Sequence, residues 1–340
     1  MAKRNFFVRE TELDDYQRLI INKRTNNSFI VKGCAGSGKS ILALWKAKQI
    51  QDEGLGSCQV IVLTKALKQY MADGINQIGL DSNMVDYHWY WEKMKHSPMA
   101  DYIIVDEAQD FSKEDILKFK SRARKALLLY GDSAQQLYAF IPEKRTLSME
   151  EMSVITGFPT EQLVYNHRLP KKVARVAQII CAENDDLETR CLNEGTEKPK
   201  IFQFNSFEEQ LDMVSQVIKN RNLQDVGILL KSNSDVEKAY NYLRKKGVNV
   251  EAKMGQEMDL NFKSDNPKIM TYHSSKGLQF ETVFIPECYC SKPEDRNPLY
   301  VAMTRTYNSL YIMYSNTLSS FFNRVSPSLY ESVAAKHEEI

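Results

Sequence analysis

The stretch VKGCAGSGKSILAL, residues 31–44, constrains this chain more than any other. Gly33 to Ser40 satisfies G-x-x-x-x-G-K-[ST] at every fixed position. A short apolar run of strand type, SFIV, precedes it. ILALWKAKQI follows, with apolar residues at helical spacing. Strand, glycine loop and helix form the setting that a phosphate-gripping loop needs. Across Gly33, Ala35, Gly36, Ser37 and Gly38, backbone N–H groups can turn toward phosphate oxygens, with no Cβ in the way at the glycines. The start of the helix adds partial positive charge. Lys39 would reach the β- and γ-phosphates, and Ser40 would ligate Mg²⁺. The loop specifies a nucleoside triphosphate but not its use.

The remaining length must then supply the use. At 340 residues the chain has room for about two domains. Its net charge of +1 gives no overall basic signal for nucleic acid. The local basic clusters KSRARK and RLPKKVAR read as solvated helix faces. No apolar run is long enough to span a bilayer, and the start, MAKRNFFVRETELDD, turns acidic after three apolar residues, unlike a signal peptide. The six scattered cysteines lack the paired spacing of a zinc site. They are expected to be reduced thiols of a cytoplasmic protein.

Apolar runs alternate with helical stretches. Strands are predicted at 59–64, 101–107 and 126–132, with KEDILKFKSRARK as a helix between the last two. SMEE at 148–151 is a capping-box pattern opening another helix. After the Gly-Pro stretch TGFPTEQ, a second series of strands is predicted at 200–204, 226–230, 268–272, 282–286 and 309–314. Amphipathic stretches around 206–221 and 233–246 separate the first three. Alternating βαβ units imply parallel sheets covered by helices. The expected organisation is an N-terminal α/β domain over 1–158, a second over 159–323, and a tail over 324–340.

Chemistry clusters at predicted strand ends. YIIVDEAQD carries Asp106, to hold the metal directly or through water, and Glu107, to orient or deprotonate an attacking water. LLLYGDSAQQLY puts Gln135 past another strand end, where ligands gather in an open parallel sheet. Arg168 in YNHRLP and Arg305 in YVAMTRT could offset transition-state charge on a transferring phosphoryl group.

Taken in order from about residue 10 to about residue 315, these motifs resemble those of the UvrD/Rep type of superfamily 1 helicases. The resemblance implies two RecA-like parallel-sheet domains with an ATP cleft between them, and ATP with Mg²⁺ as cofactors. LDDYQRLI is similar to the family's adenine-reading motif, with Gln17 on the base. VLTKALKQY places Thr64 and Lys65 near the nucleic-acid strand, and VDYHWYW places His88 at the family's histidine. GDSAQQLY makes Gln135 the γ-phosphate sensor. YNHRLP supplies Arg168, with His167 where the family has a base-stacking tyrosine. TYHSSKGLQFETVFIP resembles T-x-H-x-x-K-G-L-E-F. It implies nucleic-acid contacts at His273 and Ser274 and nucleotide contacts at Gly277 and Gln279, the latter replacing a ribose-binding glutamate. The family's base-stacking aromatic aligns with Phe140, two residues after Tyr138.

Sequence between motifs is missing relative to the family. Only a short stretch separates HWYW from MADYIIVDE, and about a hundred residues separate Arg168 from Thr271. Family members insert helical subdomains at both places. The resemblance therefore implies an ATP-dependent translocase or helicase on single-stranded DNA, of 3′ to 5′ polarity, with poor duplex separation. RNA also fits backbone and stacking contacts. A second reading is a nucleic-acid-stimulated ATPase switch that gates a protein partner such as a nuclease. A degenerate structural module is disfavoured, because Lys39, Glu107, Arg168 and Arg305 are all present.

Overall fold

The computed structural model describes residues 8–137, 145–183, 186–255 and 259–334. The chain divides into two units, one running to His167 and the other from Arg168 onward. Each unit is built on a parallel sheet with helices, as the alternating pattern requires.

The first unit runs α1 (Asp15–Asn22), β1 (Phe29–Gly33), α2 (Lys39–Asp52), β2 (Cys58–Val62), α3 (Lys65–Gln77), β3 (Val85–Tyr87), β4 (Ala100–Val105), α4 (Lys113–Arg122), β5 (Ala123–Gly131), α5 (Met149–Thr156) and β6 (Thr160–Leu163). The strand order is β3-β2-β4-β5-β1-β6. Val31 pairs in register with Tyr130, and Ile104 with Leu128. Successive strand residues face opposite sides of the sheet. Phe29, Val31, Val60 and Ile104 enter one core with Leu42 and Leu44 of α2. Ile30, Ile61, Ile103 and Val105 enter the other, with Trp91, Phe111 and Phe119. Burial on both faces is why these strands read as continuous apolar runs.

The second unit takes up β7 (Asn166–Pro170) just before its boundary. It continues through α6 (Lys171–Ile180), α7 (Leu187–Arg190), β8 (Cys191–Asn193), β9 (Lys200–Gln203), α8 (Phe207–Arg221), β10 (Val226–Leu230), α9 (Asn233–Lys245), β11 (Glu251–Ala252), β12 (Lys268–Thr271), β13 (Phe280–Ile285), α10 (Arg296–Met303), β14 (Thr306–Tyr314) and β15 (Glu331–Ala334). Its main sheet has the order β11-β12-β10-β13-β14-β9-β15, while β7 and β8 form a separate ribbon. Leu211, Val214, Val236 and Leu243 of α8 and α9 pack on Val226, Ile228, Leu230 and Ile269.

Two expected boundaries move. The stretch TEQL, expected beyond a break at 158, is β6 and pairs in parallel with β1, so the first unit extends to His167. Its polar residues are tolerated because β6 is an edge strand, with only Leu163 buried. Within the expected tail over 324–340, Glu331–Ala334 pairs with β9 as the other sheet's edge. The helix expected through Lys125 stops at Arg122, where β5 begins. No helix among the described residues is long and apolar enough to cross a membrane. All six cysteines are buried, and none is in a disulfide among the described residues.

Gly227 shows how tightly the second sheet is covered. A Cβ there would lie 2.5 Å from the Phe280 ring, which is itself buried. Gly227→Ala should therefore lower stability by about 1–3 kcal/mol through overpacking. Thermal denaturation checks this, and an unchanged melting temperature would show that the ring can yield.

Candidate functional site

Adjacency of β4, β5 and β1 assembles the first group of residues. In a parallel sheet all three strands point the same way, so the loops at their carboxyl ends lie side by side. The end of β1 gives the glycine loop, the end of β4 gives Asp106 and Glu107, and the end of β5 gives Asp132 and Gln135.

The loop is held by its own side chains. Lys39 Nζ donates to the carbonyls of Gly33 (2.8 Å) and Cys34 (3.0 Å). Gly38 precedes α2 with φ +87°, and a Cβ on it would come within 2.6 Å of Gln17 Nε2. Gln17 donates through that nitrogen to Ser37 O (3.0 Å) and accepts at Oε1 from Asp14 N (3.0 Å). Its amide thus ties the start of α1 to the phosphate loop. Ser37 Oγ is buried with no protein partner, a polar atom left for a ligand inside the loop. Ala35 is buried, and Gly36 has φ +74°. The Gly36 carbonyl accepts from His167 N (3.0 Å). The His167 ring meets Asp14 through Nε2 at 2.6 Å, so the residue expected to stack on a base is engaged by a carboxylate.

At the end of β4, Ser40 Oγ donates to Asp106 Oδ2 at 2.5 Å, bringing the two expected metal ligands together. Asp106 has no exposure. Burial, reinforced by Glu107 beside it, pushes its carboxyl up to about 7. Glu107 holds φ +57°, an uncommon conformation for a non-glycine residue and one that clusters at functional sites. Its Oε2 accepts from Gln109 Nε2 (2.7 Å). Gln109 Oε1 accepts from Asp132 N (3.0 Å), and Asp132 Oδ2 accepts from Gln135 Nε2 (2.6 Å). A continuous relay therefore joins the expected water-orienting carboxylate to the expected γ-phosphate sensor. Asp110 accepts from Leu137 N (2.9 Å) and braces the same loop. Gln109, Asp110 and Asp132 stand inside the quoted motifs, but their roles depend on the register of β4 against β5.

In the second unit the two arginines converge. Arg168 Nη2 donates to Thr304 O (2.8 Å), and Arg305 Nη2 donates to Thr304 Oγ1 (3.0 Å). Arg305 is 1% exposed and Arg168 8%. Thr304, inside YVAMTRT, is their common anchor. The segment from Thr271 to Gln279 is a compact turn. Thr271 Oγ1 meets Ser274 Oγ (3.0 Å), Gly277 has φ +78°, and His273 and Gln279 are half-buried.

The expected nucleic-acid residues are less uniform. Thr64 caps α3, accepting from Leu67 N (3.1 Å), and Lys65 opens that helix. His88 turns toward the second core. Its ring lies edge-on to Phe111 and Phe119 (4.9 and 5.8 Å), with Nε2 3.5 Å from Asp115. Burial lowers its pKa despite that carboxylate. Tyr138 and Phe140 lie outside the described residues.

Comparison with known proteins adds two family matches. Residues 268–313 match the UvrD-like helicase C-terminal domain, and residues 12–163 match an AAA domain. The "Putative ATP-dependent DNA helicase R568" of Acanthamoeba polyphaga mimivirus is 24% identical over 274 residues, covering 67% of this chain and 37% of that protein. This chain thus spans little more than a third of the curated relative's length. Among solved structures, the C-terminal domain of a possible DNA helicase from Lactobacillus plantarum WCFS1 is 22% identical, with a TM-score of 0.40, covering 49% of this chain and 98% of that one. The arterivirus nonstructural protein 10 helicase is 15% identical, with a TM-score of 0.49, covering 91% and 63%. Residues 12–163 and 268–313 are thus similar to an AAA domain and to a UvrD-like helicase C-terminal domain, in line with the order of the motifs.

Proposed function

We propose that the chain is an ATP-driven translocase on single-stranded DNA, moving 3′ to 5′. The observation that carries the ATPase part is the Ser40–Asp106 contact, joined at the same strand ends to the relay from Glu107 through Gln109 and Asp132 to Gln135. A hydroxyl and a buried carboxylate side by side are the donor set that suits Mg²⁺ on a nucleotide. Bound there, the ion would neutralise charge on the phosphate oxygens. Lys39 would move from loop carbonyls onto phosphate. Glu107, held in its strained conformation by Gln109, would orient water for attack. Gln135 would report the γ-phosphate, and the relay makes its position and that of Glu107 interdependent. Arg168 and Arg305 would offset transition-state charge. Gln17 would read adenine with the N–H and lone pair that its two backbone partners leave over, and His167 and Gln279 would contact the nucleotide.

The translocase part rests on the family resemblance and on the DNA helicase name of the curated relative. The short connections where the family inserts subdomains favour strand movement over duplex separation. No particular protein partner is favoured by any contact described.

Three outcomes are expected. Glu107→Gln should keep ATP affinity and lose hydrolysis by at least about a hundredfold, whereas Lys39→Ala should weaken binding itself. Equilibrium nucleotide binding and steady-state turnover separate the two effects, and parental turnover in Glu107→Gln would remove it from the water-orienting role.

The second outcome concerns pH. Unfolded, the Asp106 carboxyl titrates near ~3.9; folded, it titrates at about 7. The folded chain holds the proton more tightly. Its stabilising contribution is therefore full below about pH 4 and is lost as pH rises toward 7. Asp106→Asn cannot lose a proton. Without Mg²⁺, the melting temperature of the parent should fall relative to this variant by a few degrees between about pH 5 and pH 8. Parallel profiles would contradict the assigned burial effect.

The third concerns direction. The protein should displace streptavidin from a biotinylated 5′ end of single-stranded DNA much faster than from a 3′ end. Faster clearing of the 3′ end would reverse the polarity. No clearing with ATPase intact would favour the switch reading.

A further inference from the structure

Immediately after β3 the chain reads Tyr87-His88-Trp89-Tyr90-Trp91. His88 and Trp91 turn inward, and Trp91 has no exposure. Trp89 and Tyr90 point outward, and Tyr87, half-buried against the first core, joins them in one ledge. Tyr87 and Trp89 lie 6.2 Å apart with planes within 10°, and Tyr87 and Tyr90 lie 5.9 Å apart. Trp89 is 46% exposed and Tyr90 37%. Two large rings held this far in water, with no core role, present faces to a ligand.

Lysines lie near the ledge in the chain and in space. Lys95 Nζ lies 5.8 Å over the Tyr90 ring. Asp86, 2% exposed and next to Tyr87 in the chain, accepts from both Lys95 (2.5 Å) and Lys68 (3.1 Å), so one buried carboxylate holds two lysines and leaves positive charge over. Lys93, 59% exposed along its side chain, adds to it and lies 3.3 Å from Glu92, which Lys118 also engages. Flat rings spaced for stacking, bordered by lysines able to meet phosphates, match the chemistry of a single strand of nucleic acid. An aliphatic-lined protein groove would not need this arrangement.

We propose that Tyr87, Trp89 and Tyr90 form a stacking platform for the bases of a single strand, with Lys68, Lys93 and Lys95 on its phosphates. The proposal rests on the nucleic-acid reading above and assigns that strand a contact surface on the first unit. It also explains why His88 can be spent on packing: the neighbouring exposed rings take the strand.

The test uses the full chain and two labelled probes of about sixteen nucleotides: oligo-thymidylate and an abasic phosphodiester strand of equal length. Fluorescence anisotropy gives the affinities. The parent should bind thymidylate more tightly than the abasic strand. W89A/Y90A should weaken thymidylate binding by about tenfold or more, with abasic binding nearly unchanged. W89F/Y90F should restore it, because rings remain; a matched melting temperature shows that each variant is folded. Unchanged thymidylate affinity in W89A/Y90A, with the parent binding well, overturns the platform and leaves the ledge to a protein partner. Binding of neither probe by the parent would instead overturn the nucleic-acid reading on which the platform depends.

Discussion

A carboxyl group with no exposure, at the end of a central strand, is the constraint on which the first unit turns. Asp106 cannot carry its charge comfortably there unless something compensates it. The protein supplies a single hydroxyl from Ser40 and the backbone N–H of Glu107. That is enough to position the group but leaves its proton affinity raised. The neighbouring residue is held in left-handed backbone, and its carboxylate is gripped by Gln109. In the proposed function the first carboxylate would hold a divalent cation and the second would orient water.

The parallel sheet makes this arrangement possible. β4, β5 and β1 are neighbours, although β1 lies some seventy residues before β4 in the chain. Hydrogen-bonded pairing brings three loops to one edge, and the Gln109–Asp132 contact spans two of them. Gly38 gives way to the amide of Gln17, which extends the same edge to α1. In the second unit, Thr304 does for Arg168 and Arg305 what Gln109 does for Glu107: it fixes their direction with one backbone oxygen and one hydroxyl.

Much of this was legible in sequence, for a physical reason. Strands buried on both faces must be apolar throughout, so 226–230 could be read with its observed bounds and the others to within a few residues. Edge strands escape that rule. TEQL at 160–163 and ESVA at 331–334 each have one side without a neighbouring strand, and neither carries an apolar run. The phosphate loop, Asp106 and Glu107 were legible because their chemistry is local. The relay through Gln109 and Asp132 was not, since it needs the register of two strands. The pairing of Asp14 with His167 joins positions 153 residues apart, beyond the reach of any local pattern. The inward turn of His88 was hidden because alternation within YHWYW breaks in a π-type turn at Tyr90–Met94.

On the proposed function, ATP turnover at this edge answers to a single strand. The most direct measurement is the steady-state ATPase rate of the intact chain with Mg²⁺, with and without a saturating single-stranded oligonucleotide. The account predicts turnover that rises severalfold or more when the strand is present. A rate at background level under both conditions, from folded protein that binds the nucleotide, would contradict it.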